Sequence, residues 1–196
     1  MPFQEIPLFP LNTVLFPGGV LPLRIFEPRY LGMVSACMKA DHGFGVVAIQ
    51  EGSETGTAAS FQKIGTLARI VDFDRLEDGL LGITCQGGQR LQVMSHRVQA
   101  DRLILGQVKF LPDDPLRPPL PAHAPLLTFL RHVLDQEELQ CYTRFLQPAW
   151  DSAAWVGNRV AELLPLPLGL KQALLELTDP TQRLDALRSL LQSEQE

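Results

Sequence analysis

The chain has 196 residues, of which 45% are hydrophobic and 20% charged, and its formal net charge is −5. This length accommodates one domain or two small ones, and the composition is that of an ordinary globular protein. Residues 1–111 carry ten basic and ten acidic side chains, whereas residues 112–196 carry seven and twelve. Because phosphate binding needs clustered lysine and arginine, this balance argues against a nucleic-acid-binding protein.

The three cysteines, Cys37, Cys85 and Cys141, lie far apart and form no C-x-x-C pair. Their odd number and wide spacing favour buried free thiols in a reducing compartment over a disulfide framework or a zinc site. The N-terminus lacks the basic and apolar regions of a signal peptide, and no apolar stretch reaches the ~18 residues of a membrane span. We therefore expect a cytoplasmic protein.

The first half of the chain begins with two short apolar runs that contain proline. IPLFPL and VLPLRIF are joined by the turn FPGG at 16–19. Because proline removes a hydrogen-bond donor from a strand, both runs are predicted to be edge strands or to contain bulges. Pro28 then suits the first position of a helix. Apolar residues follow at helical spacing and predict one buried helix face: Tyr30, Leu31, Val34, Cys37 and Met38.

Five further apolar runs follow the helix at the spacing of an antiparallel sheet or barrel. They are GFGVVAI, GTLARIVDFDRL, LLGITCQ, QRLQVMSHRVQ and RLILGQVKFL. The segment EDG at 77–79 separates the second run from the third and is predicted to be a hairpin turn, in which Gly79 takes a positive φ.

The second half of the chain changes character after a proline-rich stretch. Residues 111–125 contain six prolines, which predicts an extended, semi-rigid joint in which His123 is solvated. Helical apolar stripes then begin at Leu126, and Asp151 and Asp179 are the predicted N-caps of two later helices. We therefore divide the chain into a β subdomain at 1–111, a joint at 112–125 and a helical subdomain at 126–196.

No motif in the sequence predicts a catalytic or cofactor-binding site. The chain contains no P-loop, no G-x-G-x-x-G after a strand, no G-x-S-x-G and no H-E-x-x-H. No two of its four histidines lie within five residues of each other, so a metal site is not expected. Four acidic residues could bind a cation or act as an acid–base pair, but a solvated hairpin tip is the favoured interpretation: Asp72, Asp74, Glu77 and Asp78.

One cluster of charged and aromatic residues stands out where the second run meets the helix. Arg24, Glu27 and Arg29 alternate with Phe26 and Tyr30. Such a cluster could hold an extended peptide by charge-assisted hydrogen bonds and ring contacts. The alternative is an internal ion pair that fixes the corner between strand and helix, because a buried arginine must be paired. These five residues are the candidate peptide- or partner-binding site.

Several segments resemble, in the correct order, the N-terminal substrate-binding domain of the Lon protease family. They are PLFPLNTVLFPGGVLPLRIFEPRY at the start, GTLARI at 65–70, EDGLLGITCQGGQRLQV, and the leucine-rich end LPLPLGLKQALLELTDPTQRLDALRSLL. The resemblance implies an α+β fold, in which a PUA-like β pseudo-barrel with one inserted helix is followed by a small C-terminal helical bundle. In full Lon proteases an ATPase and a Ser–Lys peptidase domain follow this module.

The resemblance also implies a function, since the family's module is thought to recognise substrate proteins or partners. With no Walker lysine in the sequence, we expect a small member of the family without ATPase or peptidase activity and without a cofactor. It would bind a polypeptide or protein partner at a sheet edge or in an apolar groove between barrel and helices. Three alternatives remain open: an RNA-binding PUA-like protein, a structural adaptor, and a small hydrolase whose site forms only in the folded chain.

Overall fold

The computed structural model describes residues 3–51, 54 and 60–193. By its internal contacts the chain divides into two compact units, Met1–Pro112 and Asp113–Glu196. In the part that the structure describes, the first unit contains one helix, α1 (Pro28–Ala40), and six strands. The strands are β1 (Gln4–Leu11), β2 (Val20–Ile25), β3 (Phe44–Glu51), β4 (Ser60–Arg75), β5 (Leu81–Val98) and β6 (Ile104–Phe110).

The six strands form one sheet that closes on itself. Their order is β2-β5-β4-β3-β1-β6, and β6 also pairs with β5. Five strands therefore form a closed ring, while β2 is added to the first half of β5. β1 and β3 are parallel, and the other pairs are antiparallel. The predicted pseudo-barrel with one inserted helix is confirmed.

Strand β5 corresponds to two runs that the sequence pattern predicted as separate strands. The prediction of a break is wrong, because the glycines between the runs serve close packing. The N–H of Gly18 donates to the carbonyl of Gly87 at 2.7 Å, and the N–H of Gly87 donates to the carbonyl of Gly19 at 2.8 Å. A Cβ at Gly87 would lie 2.2 Å from the carbonyl oxygen of Phe16. Glycine therefore lets the turn before β2 lie directly on β5.

The two prolines of β1 do not make it an edge strand. Pro7 pairs with Leu105 of β6 in the part of β1 that precedes its pairing with β3. Pro10 pairs with Val47 of β3 beyond the last residue paired with β6. Each proline therefore lies where only one neighbouring strand is paired, which leaves room for a residue without an N–H. The edge prediction is wrong for β1 and confirmed for β2.

Two apolar clusters hold the first unit together. Leu8 belongs to a cluster of β-strand residues that includes Val47, Leu91 and Val108. Phe9, its neighbour, points to the other face and joins the second cluster, into which α1 packs. The helix contributes a stripe at i, i+3, i+4 and i+7: Tyr30, Met33, Val34 and Cys37.

The second unit is a small helical bundle, as predicted. Its helices are α2 (Ala124–Leu134), α3 (Gln140–Thr143), α4 (Ala153–Leu163), α5 (Leu168–Glu176) and α6 (Pro180–Ser193), with short 3₁₀ turns before α2 and α3. The N-cap of α4 is Ser152, whose hydroxyl accepts from the N–H of Trp155, and not the predicted Asp151. Asp179 caps α6 through the N–H of Thr181, at 2.8 Å. None of the described helices is long and apolar enough to cross a bilayer.

The prediction that His123 is solvated is wrong. Its side chain is fully buried at the start of α2. The N–H of Leu120 donates to Nδ1 at 3.1 Å, so Nε2 carries the ring hydrogen and donates to Asp185 of α6 at 3.0 Å. Both ring nitrogens are therefore satisfied, which removes the cost of burying them. The proline-rich stretch that precedes His123 belongs to the second unit from Asp113 onwards.

Candidate functional site

Strand β2 presents the free edge of the described sheet. It pairs with β5 from Val20–Gln86 to Ile25–Leu81, and no described strand pairs with its other side. Pro22 lies in the middle of the strand. An edge strand of this kind is where an extended polypeptide can add to a sheet.

A cavity of about 330 Å³ lies on one side of β2 and is here called the hairpin cavity. It is lined by Pro22–Arg24 of β2, Asp72–Asp74 of β4, Gly82–Thr84 of β5 and Leu76 of the β4–β5 turn. Gly79 of that turn has a φ of 82°, as the sequence predicted. The volume lies within the range of about 300–1,000 Å³ that is usual for ligand pockets.

A second cavity, here called the helix cavity, is also about 330 Å³ in volume. Its lining comprises the whole segment Pro22–Glu27, together with Phe9, Leu11, Tyr30 and Glu54. Both cavities share Pro22, Leu23 and Arg24. The same segment of β2 therefore contributes to the lining of both cavities, and each cavity is predominantly apolar.

Two exposed aromatic side chains belong to these cavities. Phe26 lines the helix cavity and is 55% exposed, and Phe73 lines the hairpin cavity and is 59% exposed. Phe73 also lines a third cavity of about 320 Å³, in which it is joined by Met38 and Val71. Because exposed aromatic rings beside grooves mark interaction sites, this face of the first unit is the candidate binding surface.

The five predicted site residues take different positions on this surface. Arg24 is exposed and forms an ion pair with Asp78. Phe26 and Glu27 line the helix cavity, as does Tyr30, whose ring stacks on that of Phe9 with 3.8 Å between centroids. Burial raises the pKa of Tyr30 to about 12, so its hydroxyl stays protonated.

Arg29, like Tyr30, is buried in the fold. Its side chain is 8% exposed and forms an ion pair with Glu27 at 2.8 Å. Its guanidinium also donates to the carbonyl of Arg102 at 3.1 Å and lies 4.6 Å from the centre of the Tyr30 ring. The internal ion pair considered from the sequence is present. Arg29 therefore positions Glu27 and Tyr30 beside the helix cavity.

Among the charged side chains that line the two β2 cavities, acidic ones predominate. Asp72 and Asp74 line the hairpin cavity, and Glu27 and Glu54 line the helix cavity. Among the described residues, the basic side chain that lines them is Arg24. Its charge is offset by Asp78. This electrostatic character suits apolar or basic groups and disfavours phosphate.

Phe73 and the two aspartates were not identified as site residues from the sequence. Strict alternation along β4 predicts that Phe73 lies on the same face as Leu67, which packs against the strand cluster. A register shift between Ile70 and Asp72 interrupts that alternation, so Phe73 becomes exposed. The sequence favoured a solvated hairpin tip for Asp72 and Asp74. In the folded chain they line a cavity together with residues of β2, which are distant in sequence.

The described residues contain no group of three or more His, Cys, Asp or Glu side chains able to hold a metal ion. Cys37 and Cys85 are buried as expected, whereas Cys141 is exposed, which contradicts the expectation for that residue. Burial raises the pKa of Cys37 to about 11 and that of Cys85 to about 12. Neither buried thiol is therefore available as a thiolate nucleophile near neutral pH.

Comparison with known protein families gives a match over most of the chain. The model of the ATP-dependent protease La (LON) substrate-binding domain matches residues 5–193. The chain belongs to this family. The resemblance found in the sequence is thereby confirmed.

Among curated proteins, the family member Lon protease 2 of Herpetosiphon aurantiacus is 29% identical over 202 residues. That match covers 97% of this chain and 24% of that protein. Protein cereblon of Xenopus tropicalis is 33% identical over 121 residues, covering 60% of this chain and 26% of cereblon. This chain thus spans about a quarter of the length of these relatives.

Solved structures of the family share the fold. The Lon N-terminal domain protein from Xanthomonas campestris is 37% identical, with a TM-score of 0.78, and the match covers 95% of this chain and 98% of that one. The N-terminal domain of the Mycobacterium avium complex Lon protease has a TM-score of 0.66 at 18% identity, covering 94% and 96%. The latter likeness concerns the fold alone.

Proposed function

We propose that this protein is a non-catalytic polypeptide-binding module that takes an extended segment of a client or partner protein along β2. One observation carries the proposal: β2, an edge strand of the described sheet, contributes Pro22–Arg24 to the lining of two predominantly apolar cavities. A segment added to an edge strand gains main-chain hydrogen bonds, and its alternate side chains point to opposite faces. We expect the two cavities to receive these side chains.

The proposed site comprises Arg24, Phe26, Glu27 and Tyr30, with Arg29 acting through Glu27. Phe73, Asp72 and Asp74, which line the hairpin cavity, extend it. The aromatic rings would supply apolar contact area, and the carboxylates would accept hydrogen bonds from basic side chains of the bound segment. The family's description as a substrate-binding domain supports the same role.

RNA binding, the first alternative, is less well supported. A phosphate backbone needs clustered cations, whereas the cavity lining contains Asp72, Asp74, Glu27 and Glu54.

The cytoplasmic location that we propose agrees with the three free cysteines, because reducing compartments keep thiols unpaired. The second alternative, an adaptor, would use the same surface. It would bind one partner protein, whereas a client-binding module would bind many polypeptides.

The test measures peptide binding by the full chain. Immobilised short peptides that scan an unfolded polypeptide identify ligands, and fluorescence anisotropy of the tightest one gives its affinity. We expect preference for peptides that interleave large apolar and basic residues. The double variant Phe26→Ala/Phe73→Ala should weaken binding by about tenfold or more, since truncated aromatic anchors typically cost that much.

The matched control is Met94→Ala, which truncates an exposed apolar side chain of β5 that lines neither β2 cavity. This variant should bind as the parent protein does. All three proteins should unfold at similar temperatures, because the changed side chains are exposed. Equal affinities of the parent protein and the double variant, or the absence of any preferred peptide, would contradict the proposal.

A further inference from the structure

The segment Pro115–Leu120, here called the proline segment, is extended and belongs to the second unit. Prolines fix φ near −65° at three of its six positions, and a residue before a proline is held in the extended region. Leu120, which precedes Pro121, has φ −76° and ψ 159°. These values lie close to those of the polyproline II helix. The sequence and the backbone therefore agree on a polyproline II conformation.

A polyproline II helix has three residues per turn, so residues three apart share a face. The face of Asp114, Arg117 and Leu120 carries the contacts that anchor the segment. The carboxylate of Asp114 pairs with the buried guanidinium of Arg183 at 2.6 Å. Arg117 pairs with Asp179 at 2.9 Å and its carbonyl accepts from the N–H of Ala153 at 2.8 Å. The N–H of Leu120 donates to the ring of His123.

The other two faces do not carry these anchors. Pro115 and Pro118 share one face, and both are exposed. Leu116 lies on the third face and is 95% exposed, more than any other large apolar side chain among the described residues. A rigid spacer would not need an apolar side chain held in water. Because the anchors already hold the backbone, binding through these faces would incur little further loss of conformational entropy.

We propose that the proline segment is a docking site for a protein domain with an aromatic-lined groove that recognises polyproline II ligands. Prolines at three-residue spacing on one exposed face are what such grooves accept, and Leu116 would fill an adjoining apolar pocket. The inference is independent of the proposed function at β2, because every residue it uses belongs to the second unit. It assigns the chain a second binding surface, for a folded partner.

The test uses the full chain and three isotope-labelled domains of the kinds that read polyproline II ligands: an SH3, a WW and an EVH1 domain. Nuclear magnetic resonance follows the groove residues of each domain as the chain is added. We expect saturable shifts confined to the groove of at least one domain. Leu116→Ala should weaken that binding several-fold, and Pro115→Ala/Pro118→Ala should abolish it.

The matched control is Pro112→Ala, an exposed proline that precedes the proline segment and should leave binding unchanged. If the double proline variant does not fold, the single exposed change Pro118→Ala serves instead and should weaken binding at least several-fold. Absence of groove shifts in all three domains would overturn the proposal. Undiminished binding by the folded proline variants would overturn it too, because contact would then not depend on the polyproline II face.

Discussion

Arg29 and Glu27 form an ion pair of 2.8 Å at the start of α1, with the guanidinium inside the fold and the carboxylate beside the helix cavity. The guanidinium also holds the carbonyl of Arg102, in the turn between β5 and β6. Arg102 has a positive φ of 70°, which is uncommon outside glycine. One buried cation thus links the helix start, the β5–β6 turn and the lining of the candidate site.

The first prediction concerns the stability that this ion pair provides. Arg29→Met keeps most of the side-chain volume but leaves the partly buried carboxylate of Glu27 without its partner. We expect the free energy of unfolding to fall by about 3 kcal/mol, since breaking one side of a buried pair is costly. Urea denaturation gives the value. The double variant Arg29→Met/Glu27→Gln should recover part of the loss, and a double variant no more stable than Arg29→Met would show that the two residues are not coupled.

The second prediction compares two glycines of the first unit. A Cβ at Gly32 in α1 would have no neighbour within 4 Å, whereas a Cβ at Gly87 would meet the backbone of Phe16. Gly32→Ala should therefore stabilise the protein by about 0.5–1 kcal/mol, the usual gain in a helix interior. Gly87→Ala should destabilise it by about 2 kcal/mol or more, because a strand and a turn must separate. Thermal unfolding midpoints that move in the same direction would refute this explanation.

The architecture was accessible from the sequence because local and global preferences agree in most elements. Pro28 begins α1, Gly79 forms the β4–β5 turn, and Asp179 caps α6 as their residue types dictate. The errors arise where pairing is staggered or where glycine serves packing. β1 accommodates Pro7 and Pro10 because its two neighbours pair with different halves of it. No local pattern contains that information.

The same limit applies to the candidate site. The edge position of β2 followed from Pro22, and Arg24 and Phe26 were noticed because charge and ring alternate there. The prediction of the buried face of α1 was less accurate, since it included Leu31 and Met38, which are exposed. Phe73 reaches the surface through a register shift, and cavities form only when separate strands meet. These features depend on tertiary packing and could not be derived from a single sequence.

The third prediction concerns the cysteines. Cys141 is exposed, whereas burial raises the pKa values of Cys37 and Cys85. Since only an accessible thiolate reacts rapidly, Ellman's reagent at mildly alkaline pH should modify Cys141 quickly in the native protein and all three cysteines after denaturation. Cys141→Ser should abolish the fast phase and leave the fold intact. Rapid modification of Cys37 or Cys85 in that variant would mean that the packing between α1 and the sheet opens.

The fourth prediction uses the capping carboxylate of α6. The pKa of Asp179 is lowered from its ordinary value of 3.8, chiefly because the carboxylate accepts from the N–H of Thr181 and also because Arg117 lies beside it. A group whose pKa is lower in the folded state stabilises that state above the unfolded pKa, and this contribution is lost as the pH falls through the folded pKa. Asp179→Asn keeps an oxygen that can cap the helix but removes the charge.

We therefore expect Asp179→Asn to lower the urea midpoint near neutral pH, and the difference from the parent protein to shrink between about pH 5 and pH 2. Arg117→Met, which removes the neighbouring cation but leaves the cap, should show a smaller change with pH, because the hydrogen bond from Thr181 is the larger cause of the shift. A midpoint difference that stays constant over this range would show that the charge of Asp179 does not stabilise α6. The start of α6 and the anchor of Arg117 would then depend on hydrogen-bond geometry alone.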